Sequence, residues 1–189
     1  MNDLADLADL AVLLAPGAGG GRDHPTLVAM EEAVAPAPVE RVELPGRAPA
    51  ATKAMVAAAQ ALCARTGVAA GRVVLGGRSF GGRMGSMTVA DGLPALGLAL
   101  VSYPLHPPGR PDQLRTEHFP RLDLPCLFVS GRRDPFATME ELEVATSVIP
   151  GPVTHVWLDG GHGLKGSDAL VATAFRKWVA AVAAGGPPG

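Results

Sequence analysis

Three residues of the types needed for nucleophilic catalysis follow separate apolar stretches of the sequence. Ser79 stands in the pattern G-x-S-x-G, because residues 77–81 read GRSFG directly after an apolar run. Asp134 and His162 follow the later runs CLFVS and VTHVWL. A serine hydroxyl is a weak nucleophile and needs a base that a third group orients. The order serine, acid, histidine predicts Ser79 as nucleophile, His162 as base and Asp134 as the orienting acid.

Such chemistry also needs two backbone N–H groups for the negative charge that develops on a carbonyl oxygen. The expected first donor is Phe80, the residue after the serine. The second is expected from the loop PGAGGG after the first apolar run, with Ala18 as the predicted donor and Gly19 as the nearest alternative. These glycines match neither G-x-x-x-x-G-K-[ST] nor G-x-G-x-x-G with a suitable acidic residue downstream, so they do not favour a phosphate-binding loop.

Contacts to a substrate are predicted from residues next to the same loops, namely Gly19, Arg78, His106 and Phe136. Several cationic residues also lie near these loops in the sequence: Arg78, Arg83, Arg132, Arg133 and Lys165. Two interpretations of them stay open. A guanidinium group could bind an anionic substrate such as a carboxylated ester, or the cations could form structural ion pairs and hydrogen bonds that hold the loops.

Short apolar runs alternate with helical patterns along the chain. The runs at 11–15, 39–44, 72–75, 98–102, 126–130 and 153–158 predict six strands, and the alternating second run suits a sheet edge. Helical patterns cover 52–65, 79–91, 138–148 and 167–184. The alternation predicts an α/β fold, a mainly parallel sheet of about six strands with helices on both faces. Since parallel strands end at one edge of a sheet, the three candidate residues should meet there.

Composition limits the classes of function. The 189 residues are 48% hydrophobic with a net charge of -2, which predicts one globular domain over 1–189, with 1–10 and 185–189 frayed. There is no basic excess for nucleic acid, no apolar run long enough for a membrane span and no signal-peptide pattern. We expect a soluble, cytoplasmic protein with reduced Cys63 and Cys126, and no metal or cofactor, because no ligand cluster has metal spacing.

Several segments together resemble a known family. They are LLAPGAGG, GGRSFGGRMGS, YPLHPPG, LRTEHFP, LFVSGRRDPF and GGHGLK. The chain resembles the compact, lidless α/β-hydrolases of the dienelactone-hydrolase-like group, and most of all a branch with the elbow G-[KR]-S-x-G-G-R, over about residues 11–182. The resemblance implies the α/β-hydrolase fold and the same triad of Ser79, Asp134 and His162.

Two positions depart from this pattern. Pro16 stands before Gly17 where many relatives have histidine, and Gly161 stands before His162 where relatives often have aspartate. Neither departure removes a member of the triad. Both concern the loops that hold it, so they bear on loop rigidity and on substrate preference.

Many α/β-hydrolases carry a cap domain after the strand that follows the nucleophile helix. Only residues 105–125 join the corresponding strands here, which predicts no cap domain and an open site. The leading hypothesis is a serine hydrolase, a carboxylesterase acting on small or exposed acyl esters through an acyl-enzyme, as a monomer or homodimer. The alternatives are an acyltransferase, and a non-catalytic α/β-hydrolase-like binding or scaffold module.

Overall fold

A single parallel sheet organises the protein, whose computed structural model describes residues 7–186. The sheet has six strands in the order β2-β1-β3-β4-β5-β6, and every neighbouring pair is parallel. The strands are β1 (Ala11–Ala15), β2 (Val39–Arg41), β3 (Val73–Arg78), β4 (Gly97–Val101), β5 (Cys126–Gly131) and β6 (Val153–Leu158). The predicted α/β fold and strand number are confirmed, and β2 lies at an edge as expected.

Helices cover both faces of this sheet. They are α1 (Pro25–Ala33), α2 (Ala48–Thr66), α3 (Phe80–Ala90), α4 (Met139–Thr146) and α5 (Asp168–Ala183). Apolar residues of α1 and α5 pack in one cluster on the sheet, and those of α2, α3 and α4 pack in another. Successive side chains of a strand point to opposite faces, so the central strands contribute to both clusters. This is why their sequences are apolar throughout.

Helix α1 was not predicted from the sequence. Its first turn is closed by His24, whose Nδ1 accepts a hydrogen bond from the Thr26 N–H at 3.2 Å, and Pro25 occupies the first helical position. Proline is favoured there because its missing N–H would have no partner. Histidine is not among the residues that usually cap a helix, so the sequence carries no recognisable start signal.

The expected fraying of residues 1–10 is wrong for the part that the structure describes. Leu7 and Leu10 are fully buried in the cluster between α1, α5 and the sheet. Residues 1–6 lie outside the described residues. At the other end, Gly185 and Gly186 donate to the last carbonyls of α5 at 3.1 and 3.0 Å, and residues 187–189 lie outside the described residues.

The connection between β4 and β5 places no α-helix over the carboxyl edge of the sheet. Within the described chain it contains one 3₁₀ turn, Phe119–Arg121, and no α-helix. Phe119 is fully buried, and its ring lies 5.3 Å from that of Tyr103 and 6.1 Å from that of Phe128. This segment is therefore packed into the core and forms no cap domain, as predicted. None of the helices in residues 7–186 combines the length and the apolar character needed to cross a membrane.

Candidate active site

Ser79 occupies a sharp turn between β3 and α3. Its backbone has φ 49° and ψ -114°, a conformation that is strained for any residue except glycine. The turn is held by two hydrogen bonds, from the Ser79 N–H to the Val101 carbonyl at 2.8 Å and from the Arg83 N–H to the Ser79 carbonyl at 3.0 Å. The hydroxyl group is thereby presented at the N-terminus of α3, where the helix dipole favours negative charge.

Glycines on both sides of Ser79 let this turn lie against the end of β1. A Cβ atom at Gly77 would be 2.5 Å from the Ala15 carbonyl oxygen, and one at Gly81 would overlap the backbone of Ala15 and Pro16. No side chain fits in either place. The motif therefore needs glycine at both positions for a steric reason. The close approach also brings the glycine-rich loop after β1 beside Ser79.

Asp134 lies in the turn that follows β5. Its carboxylate side chain is only 1% exposed, and its Oδ1 accepts a hydrogen bond from the Phe136 N–H at 2.9 Å. The turn is closed by a bond from the Asp134 N–H to the Gly131 carbonyl at 3.1 Å. A buried carboxylate needs such donors because it has lost its hydration.

His162 lies in the loop after β6, and neighbouring elements fix this loop. Arg78 donates from Nη2 to the His162 carbonyl at 2.9 Å. The Arg133 N–H donates to the Gly160 carbonyl at 2.9 Å, which ties the loop to the Asp134 turn. Leu164, with φ 45°, is buried beneath the loop.

The three predicted residues meet in one chain of hydrogen bonds. His162 Nε2 lies 2.9 Å from Ser79 Oγ, and His162 Nδ1 lies 2.9 and 3.0 Å from the two carboxylate oxygens of Asp134. With the Nδ1 proton directed at the carboxylate, Nε2 is free to accept the serine proton. The His162 side chain is 19% exposed, so the serine end of the chain is open to a ligand while the aspartate end is closed.

A cavity of about 380 Å³ lies over Ser79. Its lining consists of Gly17, Ala18, Arg78, Ser79, Phe80, Arg83, Pro104, Arg115, Phe136 and His162. Among the predicted contacts, Ala18, Phe80, Arg78 and Phe136 are in this lining. Gly19 is not; it is exposed at φ 72° in the tip of its loop.

Two backbone N–H groups at this cavity are available for a negatively charged oxygen. Phe80 is the first residue of α3, so its N–H has no acceptor within the helix. In the loop after β1, a turn is closed by the Gly20 N–H and the Gly17 carbonyl at 3.0 Å. Among the residues that the structure describes, no backbone carbonyl accepts from the N–H of Ala18, which lies inside this turn. The predicted pair of donors therefore borders the cavity.

His106 does not line the cavity, contrary to the prediction of a substrate contact. It is buried, and its Nε2 lies 3.3 Å from Glu141 Oε2 while its N–H donates to the Phe136 carbonyl at 3.1 Å. Hydrogen bonds from Thr138, and then from His106, lower the pKa of Glu141. His106 thus connects the loop after β4 to α4 and to the turn that carries Phe136.

Two lining residues were missed by sequence reasoning, Pro104 and Arg115. Both belong to the irregular segment after β4, where no periodic pattern indicates which side chains turn inward. The Arg115 N–H donates to the Leu105 carbonyl at 2.9 Å, and the Tyr103 hydroxyl donates to the Arg115 carbonyl at 2.7 Å. These bonds fix the segment so that the Arg115 side chain reaches the cavity. No pattern in the sequence of this segment indicates that these bonds form.

Potential metal ligands are not gathered at the site. Over residues 7–186, no group of three or more His, Cys, Asp or Glu side chains is placed as a metal site requires. Cys63 and Cys126 are both free thiols, and burial raises the pKa of Cys126 to about 12.

Comparison with solved structures identifies the same architecture in other proteins. Est1E from Butyrivibrio proteoclasticus superposes with a TM-score of 0.76 at 14% identity, over 94% of this chain and 90% of that chain, and it has also been solved with ferulic acid bound. A structure from LipS and LipT, two metagenome-derived lipolytic enzymes, has a TM-score of 0.73 at 15% identity, over 91% and 94% of the two chains.

A protein of the alpha/beta superfamily from Xanthomonas campestris is similar at 20% identity, with a TM-score of 0.67 over 88% of this chain and 95% of that chain. At such identities the likeness concerns the fold. The sequence itself also matches a family described as "Alpha/beta hydrolase domain", over residues 8–184. The match covers nearly the whole chain, and the protein belongs to the alpha/beta hydrolase domain family.

Proposed function

We propose that this protein is a serine hydrolase, a carboxylesterase that cleaves small or exposed acyl esters through an acyl-enzyme. The observation that carries the proposal is the continuous hydrogen-bond chain from Asp134 through His162 to Ser79, with the Ser79–His162 distance at 2.9 Å. This is the distance at which a base can take the proton of a nucleophile. A serine in an ordinary structural role would have no reason to sit in a strained turn and to meet a buried aspartate–histidine pair.

The first half of the reaction forms the acyl-enzyme. Ser79 Oγ attacks the ester carbonyl carbon while His162 Nε2 takes the hydroxyl proton. The N–H groups of Phe80 and Ala18 hold the resulting oxyanion. The bond between the carbonyl carbon and the alcohol oxygen then breaks, His162 returns the proton to that oxygen, and the acyl group stays on Ser79.

The second half releases the acid. A water molecule gives a proton to His162 Nε2 and attacks the carbonyl carbon of the acyl-serine. The bond to Ser79 Oγ breaks, and His162 returns the proton to Oγ. Asp134 stays ionised throughout and holds the Nδ1 proton of His162, which stabilises the imidazolium formed in each half.

The shape of the site favours small or protruding acyl groups. The segment between β4 and β5 contributes Pro104 and Arg115 to the rim of the cavity and has no α-helix that could close over it. Ester chemistry also fits what is known of the structural neighbours, which include lipolytic enzymes. The same proposal includes three further points. The protein belongs to the dienelactone-hydrolase-like branch, it forms a single domain over 1–189, and it is a soluble, cytoplasmic monomer or homodimer.

A fluorophosphonate probe tests the proposal directly, because it reacts with a serine only when the base and the oxyanion donors are in place. We expect labelling of the wild-type protein, loss of labelling in Ser79→Ala, and full labelling in Ser147→Ala, an exposed serine at the end of α4. The wild type should also hydrolyse 4-nitrophenyl acetate and butyrate. Neither labelling nor turnover in the folded wild type would overturn the proposal and favour a non-catalytic module. Formation of butyl ester in the presence of butanol, in place of acid, would favour an acyltransferase.

A further inference from the structure

The cavity over Ser79 is lined by positively charged side chains that form no ion pair with any of the described residues. Three arginines line it: Arg78, Arg83 and Arg115. Among the described residues, no carboxylate lies within 4.0 Å of any of these guanidinium groups. The chain as a whole has a net charge of -2, so acidic side chains are not in short supply. Their absence from the cavity is a local feature.

Arginines elsewhere in the protein do form ion pairs. The partners lie at 2.7 Å in Arg41–Asp23, at 2.9 Å in Arg65–Glu40 and at 3.1 Å in Arg121–Asp91. One of the two interpretations of the cations near the catalytic loops is that they form structural ion pairs and hydrogen bonds that hold the loops. Among the described residues the cavity arginines form no such ion pair, but Arg78 does make a hydrogen bond of this kind, to the His162 carbonyl. Arg132, Arg133 and Lys165, which were grouped with them from the sequence, are exposed and do not line the cavity.

Arg78 already has a structural role. Its Nη2 donates to the His162 carbonyl at 2.9 Å, which fixes the loop of the base. Burial lowers the pKa of Arg78, but Asp134 and Asp168 are close enough for their charges to act against this effect. Its positive charge is therefore partly balanced within the protein.

Arg83 and Arg115 are not balanced in this way. The Nε of Arg83 is buried without a hydrogen-bond acceptor among the described residues, and the Arg115 guanidinium makes one long bond, at 3.4 Å, to the Pro104 carbonyl. Burial lowers the pKa of Arg115, and the like charge of Arg83 lowers it further. Both arginines line the same cavity, so their like charges repel. Leaving both in a partly buried site costs free energy unless a ligand supplies the opposite charge.

We propose that Arg83 and Arg115 bind a carboxylate of the substrate, so that the enzyme prefers acyl esters that carry a second, anionic end. This inference rests on the proposed function. Arg83 lies one helical turn after Ser79 on α3, and Arg115 lies on the rim segment that follows Pro104. A carboxylate between them would receive charge-assisted, forked hydrogen bonds. The ester group of the same molecule would then lie over Ser79.

Two esters of matched size test the preference. 4-Nitrophenyl hydrogen adipate has a carboxylate at the far end of its acyl chain, and 4-nitrophenyl 6-oxoheptanoate has a methyl ketone in the same place. Because a hydrogen bond to a charged group contributes about 1.5–3 kcal/mol, we expect kcat/KM to be about tenfold or more higher for the adipate half ester. Added NaCl should reduce this ratio, since the site is open to solvent.

Arginine variants show where the preference comes from. Arg83→Gln and Arg115→Gln should each bring the ratio of the two kcat/KM values toward one, and Arg83→Lys should restore only part of it. Arg110→Gln is the matched control, because it removes an exposed charge from the same segment outside the cavity; its ratio should equal that of the wild type. Equal turnover of both esters by the wild type, or the same ratio in all variants, would overturn the proposal and leave the hydrolase function intact.

A binding measurement keeps the two proposals separate. Adipate dianion is added to the Ser79→Ala protein, and its contact is followed by saturation-transfer NMR. We expect a signal that Arg83→Gln abolishes in the same background and Arg110→Gln does not. If the wild type neither reacts with fluorophosphonate nor hydrolyses either ester, the hydrolase function fails, and this measurement alone decides whether the two arginines bind a carboxylate. Equal binding of adipate to the Ser79→Ala protein and to both of its arginine variants, or no binding to any of them, would contradict the proposed carboxylate site.

Discussion

The ring of Phe136 lies over the imidazole of His162, with the two ring centres 4.0 Å apart and their planes tilted by 31°. The same residue donates its backbone N–H to Asp134 Oδ1 at 2.9 Å. Phe136 therefore touches the base with its side chain and the acid with its backbone. Because its own carbonyl accepts from the His106 N–H, this contact is fixed by the loop after β4 and not only by the turn in which it lies.

We expect Phe136→Ala to lower kcat by about tenfold, because the imidazole loses the surface that keeps it aligned with Ser79. KM should change less, because the ring contacts the base and the substrate still meets the other residues that line the cavity. Phe136→Leu is the matched variant, since it keeps an apolar side chain over the imidazole, and it should recover most of the loss. An unaltered kcat in Phe136→Ala, or an equal loss in Phe136→Ala and Phe136→Leu, would show that the ring contact has no positioning role.

Replacing the acid should affect turnover much more than folding. In Asp134→Asn the amide can no longer hold the Nδ1 proton as a carboxylate does, and we expect kcat to fall by about 10³–10⁴-fold. Asp159→Asn is the control, because Asp159 is exposed at the end of β6 and outside the hydrogen-bond chain. The two variants are compared with 4-nitrophenyl butyrate and by urea unfolding. A loss below tenfold in Asp134→Asn, or an equal loss in Asp159→Asn, would contradict the assigned role.

The central parts of the fold could be predicted from the sequence because local patterns determine them. The central strands lie between two helical layers and are buried on both faces, so their sequences are short and apolar throughout. Ser79 and Asp134 follow two such strands, β3 and β5, and His162 follows the half-buried edge strand β6. Even here β3 extends beyond the predicted end at residue 75. Gly76, Gly77 and Arg78 pair with β4, although glycine gives no strand signal.

What could not be predicted depends on contacts between distant segments. Arg115 reaches the cavity because backbone bonds to Leu105 and Tyr103 fold its segment inward, and no local pattern records those bonds. His106 was expected near the substrate because of its position in the sequence, but Glu141 on α4 holds it behind the site. Leu7 and Leu10 are buried because α1, α5 and the sheet pack against them, and those contacts come from segments far along the chain.

The close approach of the elbow to β1 predicts a strong effect of a single methyl group. In Gly81→Ala the new Cβ would overlap the backbone of Ala15 and Pro16, so β1 or α3 must move. We expect a destabilisation of about 1–3 kcal/mol and a large loss of turnover, because the same movement displaces the loop of Ala18. Gly46→Ala serves as the control, since no atom lies within 4 Å of its added Cβ. Equal urea midpoints for the two variants would show that the elbow tolerates the displacement.

A buried histidine outside the catalytic chain predicts how stability depends on pH. His118 is buried beside α3, and its Nε2 lies 2.8 Å from Ser86 Oγ. Burial, followed by the positive charge of Arg83, lowers the pKa of His118 from 6.5 to about 4. At pH values between about 4 and 6.5, His118 binds a proton in the unfolded chain but not in the folded protein. The free energy of unfolding should therefore be at its full value above pH 6.5 and decrease as the pH falls toward 4.

His118→Gln should remove this part of the pH dependence, because glutamine keeps a polar group near Ser86 but does not titrate. In urea unfolding at pH 7.5, 5.5 and 4.5, we expect the free energy of unfolding to decrease more in the wild type than in the variant as the pH falls. The slopes of the unfolding free energy against pH should differ by no more than the amount that corresponds to one bound proton. His24 and His155 also have pKa values lowered by burial, and both remain in the variant, so the difference between the two proteins isolates His118. Parallel curves for the wild type and His118→Gln would mean that His118 takes up its proton equally well in the folded protein.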